Sequence, residues 1–234
     1  MQLCCFSSIF LNLTHFLFKI CFYYLLINSF LIISYFLIFN QLINYLFFLQ
    51  YLKRDNQIGA EGVSALGSAL ANCINLSNLT LNISMNQIGA TGASDLGSSL
   101  ANCTNLSNLT LSLGFNQIGN QGASGLGSAL ANFTNLSNLT LYLYKNQIGA
   151  TGASDLGCSL ANCTNLSNLT LILGKNQIGA TGASGLGFAL VNCTNLSNLT
   201  LDLSENQINE SQQLKVKSKC LKSKRLVVIE IYFD

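Results

Sequence analysis

Nine cysteines and a single histidine are the first residues in which chemistry could be sought. Cys73, Cys103, Cys163 and Cys193 occupy one recurring position, and Phe133 stands where the series skips a member. Zinc sites draw on closely spaced C-x-x-C pairs, commonly joined by histidine. A spacing of thirty supplies no such pair, and the only imidazole is His15, near the N-terminus. A phenylalanine in the same slot argues that the slot is apolar. The expectation is buried free thiols, a usage that suits a reducing compartment. With His15 alone in the leader no Ser–His–acid set can be assembled, and nine acidic residues are few for carboxylate catalysis. No catalytic residue, metal ligand or cofactor is therefore expected, nor a small-molecule substrate.

Other candidates are weaker. "GASGLG" at Gly122–Gly127 and Gly182–Gly187 has the spacing G-x-x-G-x-G. A dinucleotide loop needs G-x-G-x-x-G, and a phosphate loop needs a following lysine that is absent here. Sequons of the N-x-S/T form recur at Asn75, Asn78, Asn105 and Asn108 as a by-product of repetition. "KVKSKCLKSKR" sets Lys215, Lys219 and Lys222 on one helical side, which reads as a solvated capping face, with anionic lipid or nucleic acid as the alternative contact. Over residues 56–205 the net charge is −3, so no nucleic-acid partner is expected there.

The elements that carry these residues follow from periodicity. "TNLSNLTLSLGFNQIG" from Thr104 returns as "TNLSNLTLYLYKNQIG" from Thr134. Five blocks of thirty residues begin at Asn56, Asn86, Asn116, Asn146 and Asn176, and such self-similarity marks a stacked repeat architecture. Leu109, Leu111 and Leu113 alternate as on a strand with one buried face. Ala93, Leu96 and Leu100 fall at i, i+3 and i+7, one stripe of a helix. Gly89 and Gly92 read as turn punctuation between them. Gly97 within the helix costs about 1 kcal/mol against alanine, for which close helix approach would compensate. A single block cannot bury its apolar side, but stacked blocks share one leucine core.

"LSNLTLSLGFNQI" resembles the leucine-rich repeat pattern L-x-x-L-x-L-x-x-N-x-I, and "GATGASDLGSSLANC" resembles the long helical repeats of the ribonuclease-inhibitor-like class. The likeness covers about residues 45–234. It implies an α/β solenoid, a horseshoe of strand-turn-helix units with parallel strands lining the concave edge. It also implies that Asn86, Asn116, Asn146, Asn176 and Asn206 lie inside and bond neighbouring turns. Two extra residues between Leu106 and Asn116 predict a longer strand than the family pattern. Projected by thirty, the register meets Val216, Cys220, Leu226, Ile229, Ile231 and Phe233, which predicts a degenerate capping repeat over 206–234, more polar outside. Projected backward it meets Leu46, Leu49 and Tyr51, a worn strand before Asn56.

If Leu79, Leu81 and Ile83 point inward, Thr80, Asn82 and Ser84 face out. The outward position after "LTL" then reads Asn82, Ser112, Tyr142, Ile172 and Asp202. Two residues on stand Ser84, Gly114, Tyr144, Gly174 and Ser204, with Met85, Phe115, Lys145, Lys175 and Glu205 beside them. The candidate partner-binding residues are Asn82, Ser112, Tyr142, Tyr144, Lys145, Ile172, Lys175 and Asp202, with the tyrosine pair the richest spot.

Residues 1–45 are an apolar leader. Ile20–Leu52 carries no formal charge, and residues 20–39 are long enough to span a bilayer as a helix. Lys53 and Arg54 follow, which favours a membrane-anchored protein with a cytosolic repeat domain over 46–234. A packed cap or a misassigned gene start would leave the protein cytoplasmic. The expected function is a non-catalytic scaffold that binds a protein partner on its concave strand face. Ribonuclease-inhibitor-like repeats also occur in activators of small GTPases, so regulation of a small GTPase is the alternative by resemblance. A further alternative is that the chain is the repeat fragment of a larger receptor or kinase-associated protein.

Overall fold

A computed structural model describes residues 57–222 and 225–233. The leader, its candidate membrane helix at 20–39 and the projected strand at Leu46, Leu49 and Tyr51 all lie outside the described residues. Among those that are described, no helix is long and apolar enough to cross a membrane.

Strand and helix alternate without exception. The order is α1 (Gly59–Leu70), β1 (Asn78–Asn82), α2 (Gly89–Leu100), β2 (Asn108–Ser112), α3 (Gly119–Leu130), β3 (Asn138–Tyr142), α4 (Ala150–Leu160), β4 (Asn168–Ile172), α5 (Gly179–Val191), β5 (Asn198–Asp202), α6 (Glu210–Cys220) and β6 (Val228–Tyr232). The six strands form one parallel sheet in sequence order. Register is the thirty-residue period itself: Leu109 pairs with Leu139, Leu111 with Leu141, and so on to Leu201 with Ile231. A slip by one residue would turn every inward leucine to solvent, so the alternation locks the pairing.

Leu79, Leu81 and Ile83, their counterparts in each regular block, and the helix residues Leu96, Leu126, Leu156 and Leu186 share one continuous core. Burying a leucine side chain contributes about 1.5–3 kcal/mol, and the stack supplies each inner block with neighbours on both sides. The helices approach as closely as their glycines allow. A Cβ on Gly97 would lie 3.1 Å from the Cα of Leu126, and one on Gly182 only 2.6 Å from the Cα of Ala150. The cost of glycine in mid-helix is thus offset by contact between backbones.

Three expectations are corrected. Gly92 is not a turn residue: it lies in the first turn of α2, where a Cβ would come within 3.0 Å of the Cα of Ala60. The Ile88 side chain, 2.5 Å from that Cβ, and the neighbouring helix explain it, not turn geometry. The strands are five residues long, and the two extra residues instead extend the inter-block ladder beyond them. Leu113 N–H donates to the Tyr142 carbonyl and Phe115 N–H to that of Tyr144, at 2.8 and 2.9 Å. The C-terminal block has a capping box formed by Asn209 and Gln212, but it exposes Leu214 within the helix, Leu221 at its end, and Val227, Val228 and Tyr232 on the strand side. It is not the polar end expected of a cap.

One irregularity arises from a single substitution. Where other blocks have alanine after "NQIG", the third has Asn120, whose Oδ1 accepts from the N–H groups of Gly149 and Gly152 at 2.7 and 3.0 Å. The asparagine thereby caps the helix of the following block, satisfying orphan N–H groups at its start. Gly149 consequently adopts an extended conformation, whereas Gly59, Gly89, Gly119 and Gly179 have φ near +60°.

Candidate functional site

The recurring polar residues divide by burial. Asn86, Asn116, Asn146, Asn176 and Asn206 are buried at the turn that leaves each strand. Asn116 Oδ1 accepts from the N–H groups of Asn86 and Ile88, at 2.7 and 3.4 Å. Its Nδ2 donates to the carbonyls of Ile83 and Leu113, at 2.9 and 3.0 Å. Asn146 repeats this with the neighbouring block. These side chains are occupied by backbone groups that would otherwise be unpaired, so the row is structural.

The thiols are likewise inside. Cys73, Cys103, Cys163, Cys193 and Cys220 are free and buried, and Cys158 is free and exposed. Cys103 Sγ donates to the Leu70 carbonyl and Cys163 Sγ to that of Leu130, across the block boundary. Desolvation pushes the thiols of Cys103, Cys163 and Cys220 up to about 11 and that of Cys193 up to about 12. A buried neutral thiol is a poor nucleophile and a poor metal ligand. Among the described residues, no group of His, Cys, Asp or Glu is arranged to hold a metal ion. "GASGLG" at Gly122–Gly127 lies wholly within α3, with no loop open to a phosphate.

Helix positions vary between blocks as well, as at Asp95, Gly125, Cys158 and Phe188, but the variable side chains of the strand layer lie on the helix-free face and its edge. The strands place Asn82, Ser112, Tyr142, Ile172, Asp202 and Tyr232 in one register row, at the usual spacing of about 4.8 Å. Tyr142 is exposed, while Asn82, Ser112, Ile172 and Asp202 are half-buried. Two further rows, Asn78–Asn198 and Thr80–Thr200, repeat without change up to β5. Asn108, Asn138, Asn168 and Asn198 each donate from Nδ2 to the Oδ1 of the equivalent residue one block earlier.

The second predicted row is mostly not a surface. Ser84 is 8% exposed, and Gly114 and Gly174 are buried. The chain is already turning away from the face there. Asn82 Oδ1 accepts from Ser84 N–H at 3.2 Å and folds over the turn, as Asp202 does with Ser204 at 2.8 Å. Tyr144 and Ser204 are half-buried, and of the two Tyr144 is long enough to reach a neighbouring ring.

The residues beside that row emerge for a reason no spacing reveals. Met85, Phe115, Lys145, Lys175 and Glu205 all have left-handed backbones, with φ of 62°, 60°, 53°, 52° and 53°. This conformation costs a non-glycine residue about 1–2 kcal/mol, and it is worse for β-branched residues, none of which occurs here. It reverses the chain into the turn and leaves all five side chains exposed.

Tyr144 ties the edge together. Its ring lies 5.3 Å from that of Phe115, centroid to centroid. Lys145 Nζ sits 5.2 Å from the Phe115 centroid, and Lys175 Nζ sits 5.7 Å from the Tyr144 centroid, both within cation–π range. Lys175 also pairs with Glu205 at 3.2 Å. Tyr144 first, then Glu205, hold the Lys175 ammonium above its ordinary pKa. Of the predicted residues, the structure therefore brings Tyr144, Lys145 and Lys175 into one cluster, with Tyr142 and Ile172 on the adjoining strands. Ser112 pairs directly with Tyr142 in the row, Asn82 lies one strand further on, and Asp202 pairs with Ile172 on the other side. Phe115 and Glu205 complete the cluster; their variation between blocks was the available signal. Lys215, Lys219 and Lys222 line one shallow groove with Ser184, and Lys219 Nζ donates to the Ser184 hydroxyl at 2.6 Å.

No curated protein matches the chain. A family model described as the leucine-rich repeat matches residues 54–67, 75–97, 105–127 and 165–187, each stretch falling on the same strand-turn-helix register. The thirty-residue units, their shared parallel sheet and these matches place the chain in the leucine-rich repeat family.

Proposed function

We propose that the protein is a non-catalytic scaffold that captures a protein partner on the helix-free face, through Tyr142, Tyr144, Lys145, Lys175 and Phe115. The observation that carries this reading is the distribution of variation. Most side chains that hold the stack repeat, whereas the aromatic and cationic cluster at the strand edge is assembled from positions that vary between blocks. Tyrosine supplies large contact area at low entropic cost, and a rigid sheet loses little freedom on docking. Asn82, Ser112, Ile172 and Asp202 would form the flanks of the contact.

The test is double substitution of Tyr142 and Tyr144 by alanine, with partners recovered by proximity labelling in cells. Partners enriched on the native chain are expected to fall by about tenfold, with the circular dichroism spectrum unchanged. Retention of all of them would remove the face from the site. The same reading keeps residues 20–39 in a membrane with the repeats in the cytosol. Support for that rests on the uncharged run and on the basic pair that follows it. Protease protection in sealed vesicles distinguishes it from a soluble protein.

A further inference from the structure

The basic stretch of the sixth block gathers into a groove on the helix layer, away from the sheet face. α5 and α6 form its walls, and Ser184, Leu214, Lys215, Ser218, Lys219 and Lys222 line it. Lys215, Lys219 and Lys222 follow at i, i+4 and i+7, so one side of the helix carries all three. Lys217 points elsewhere, its Nζ 5.4 Å from the Phe233 centroid, and takes no part. This basic character is not a property of the repeat. The corresponding groove between α1 and α2 is lined instead by Glu61 and Asp95.

The facing wall offers these lysines no counter-charge. α5, Gly179–Val191, contains no charged residue. The one acid of α6 is Glu210, its first residue, and Asp155 lies a helix further back, on α4. Among the described residues none of the three lysines is in an ion pair. Lys219 Nζ donates to the Ser184 hydroxyl at 2.6 Å, which holds its charge in the groove without neutralising it. Lys215 and Lys222 are exposed. Apolar surface stands at the same place. The outermost helix position reads Ser68, Ser98, Ser128, Cys158, Phe188 and Ser218, all exposed, and Phe188 by 67%. Phe188 lies one turn beyond Ser184 on α5, at the margin of the groove.

We infer that the α5–α6 groove docks on an anionic membrane surface, its lysines against the lipid headgroups and Phe188 in the interfacial layer. Clustered lysines are drawn to such a surface over about a Debye length, and an exposed phenylalanine beside them adds apolar insertion. The groove lies on the helix layer, so the inference does not rest on protein capture at the sheet. A nucleic-acid strand fits poorly. From Lys215 to Lys222 the helix rises about 10 Å, or roughly three stacked nucleotides, whereas single-strand grooves track about four or more.

The chain contains no tryptophan, so Phe188→Trp in the full-length protein places a single reporter at the groove. The probes are vesicles of phosphatidylcholine with and without phosphatidylserine. On the serine-containing vesicles the emission is expected to shift to the blue and to be quenched by brominated acyl chains. On phosphatidylcholine alone it does neither. Ser98→Trp, at the same outward position three blocks away, reports no change, which separates docking of the groove from insertion of the N-terminal segment. Adding Lys215→Glu and Lys222→Glu to the Phe188→Trp chain weakens the response by about tenfold or more. Both lysines are exposed, so these changes leave the stack intact. Absence of a shift on serine-containing vesicles overturns the proposal, and so does an equal shift on phosphatidylcholine alone or at Ser98→Trp. A native response in the double lysine variant overturns it too. A shift produced by polyuridylate and not by vesicles does the same, by making the occupant a nucleic acid.

Discussion

Two asparagine rows run through this protein, each repeating every thirty residues. Asn116 and its equivalents are buried, and each side chain joins backbone groups of two blocks. Asn108 and its equivalents lie on the helix-free face, and each amide joins chiefly the next amide. The residue type and the period are the same, yet the energetic meaning is opposite. An inner amide that is lost strands several buried backbone groups, whereas an outer amide that is lost is replaced by water. Repetition alone therefore says that a residue belongs to the repeat, and burial says what it holds.

Asn116→Ala is the sharpest way to break that contrast. It orphans the N–H of Asn86 and weakens the pairing of Ile83 and Leu113, at about 1–3 kcal/mol for each buried group left unpaired. Denaturant unfolding is expected to show a loss of about 3 kcal/mol or more, and Asn108→Ala less than about 1 kcal/mol. Equal losses would mean that the two rows carry equal weight.

A second contrast lies within α5. Gly182→Ala forces a methyl against the Ala150 backbone and is expected to cost about 1–3 kcal/mol. Gly187→Ala meets only ordinary contacts at 3.5 Å and beyond, so the helical preference of alanine should stabilise by up to about 1 kcal/mol. Thermal melts of the two variants shifting in opposite directions would confirm that glycine marks helix approach rather than flexibility.

The thiols give the smallest effect and a defined sign. Burial raises their folded pKa to about 11 or 12 from 9.0, so their neutral form contributes stability fully below pH 9, and it is lost as pH rises through 11. The melting temperature should fall over that interval, less so in a Cys103→Ala variant measured against its own value at pH 8. Alkylation of the native protein followed by peptide mass mapping should modify Cys158 and spare Cys103, Cys163 and Cys193.

Much of the architecture was legible. The spacing of Leu109, Leu111 and Leu113 shows a one-sided strand, and projection of the period finds β6 among residues that share almost no letters with β5. The site was legible in part. Tyr142 alternates outward as period two requires, but Ser84 does not, because the chain leaves the strand before reaching it. Phe115 joins Tyr144 because a left-handed residue turns its side chain back across the block boundary, and no linear pattern encodes that sign of φ. Asn120 acts on a helix one block away, a contact visible only once neighbouring blocks are superposed in space.

By itself the amino-acid order determined period, strand register and core, because side-chain direction in strand and helix is a local property and hydrophobic burial enforces it everywhere at once. Tertiary structure alone decided which variable side chains meet and which helix Asn120 caps. Those outcomes depend on distances between blocks, and such distances exist only after the stack has formed.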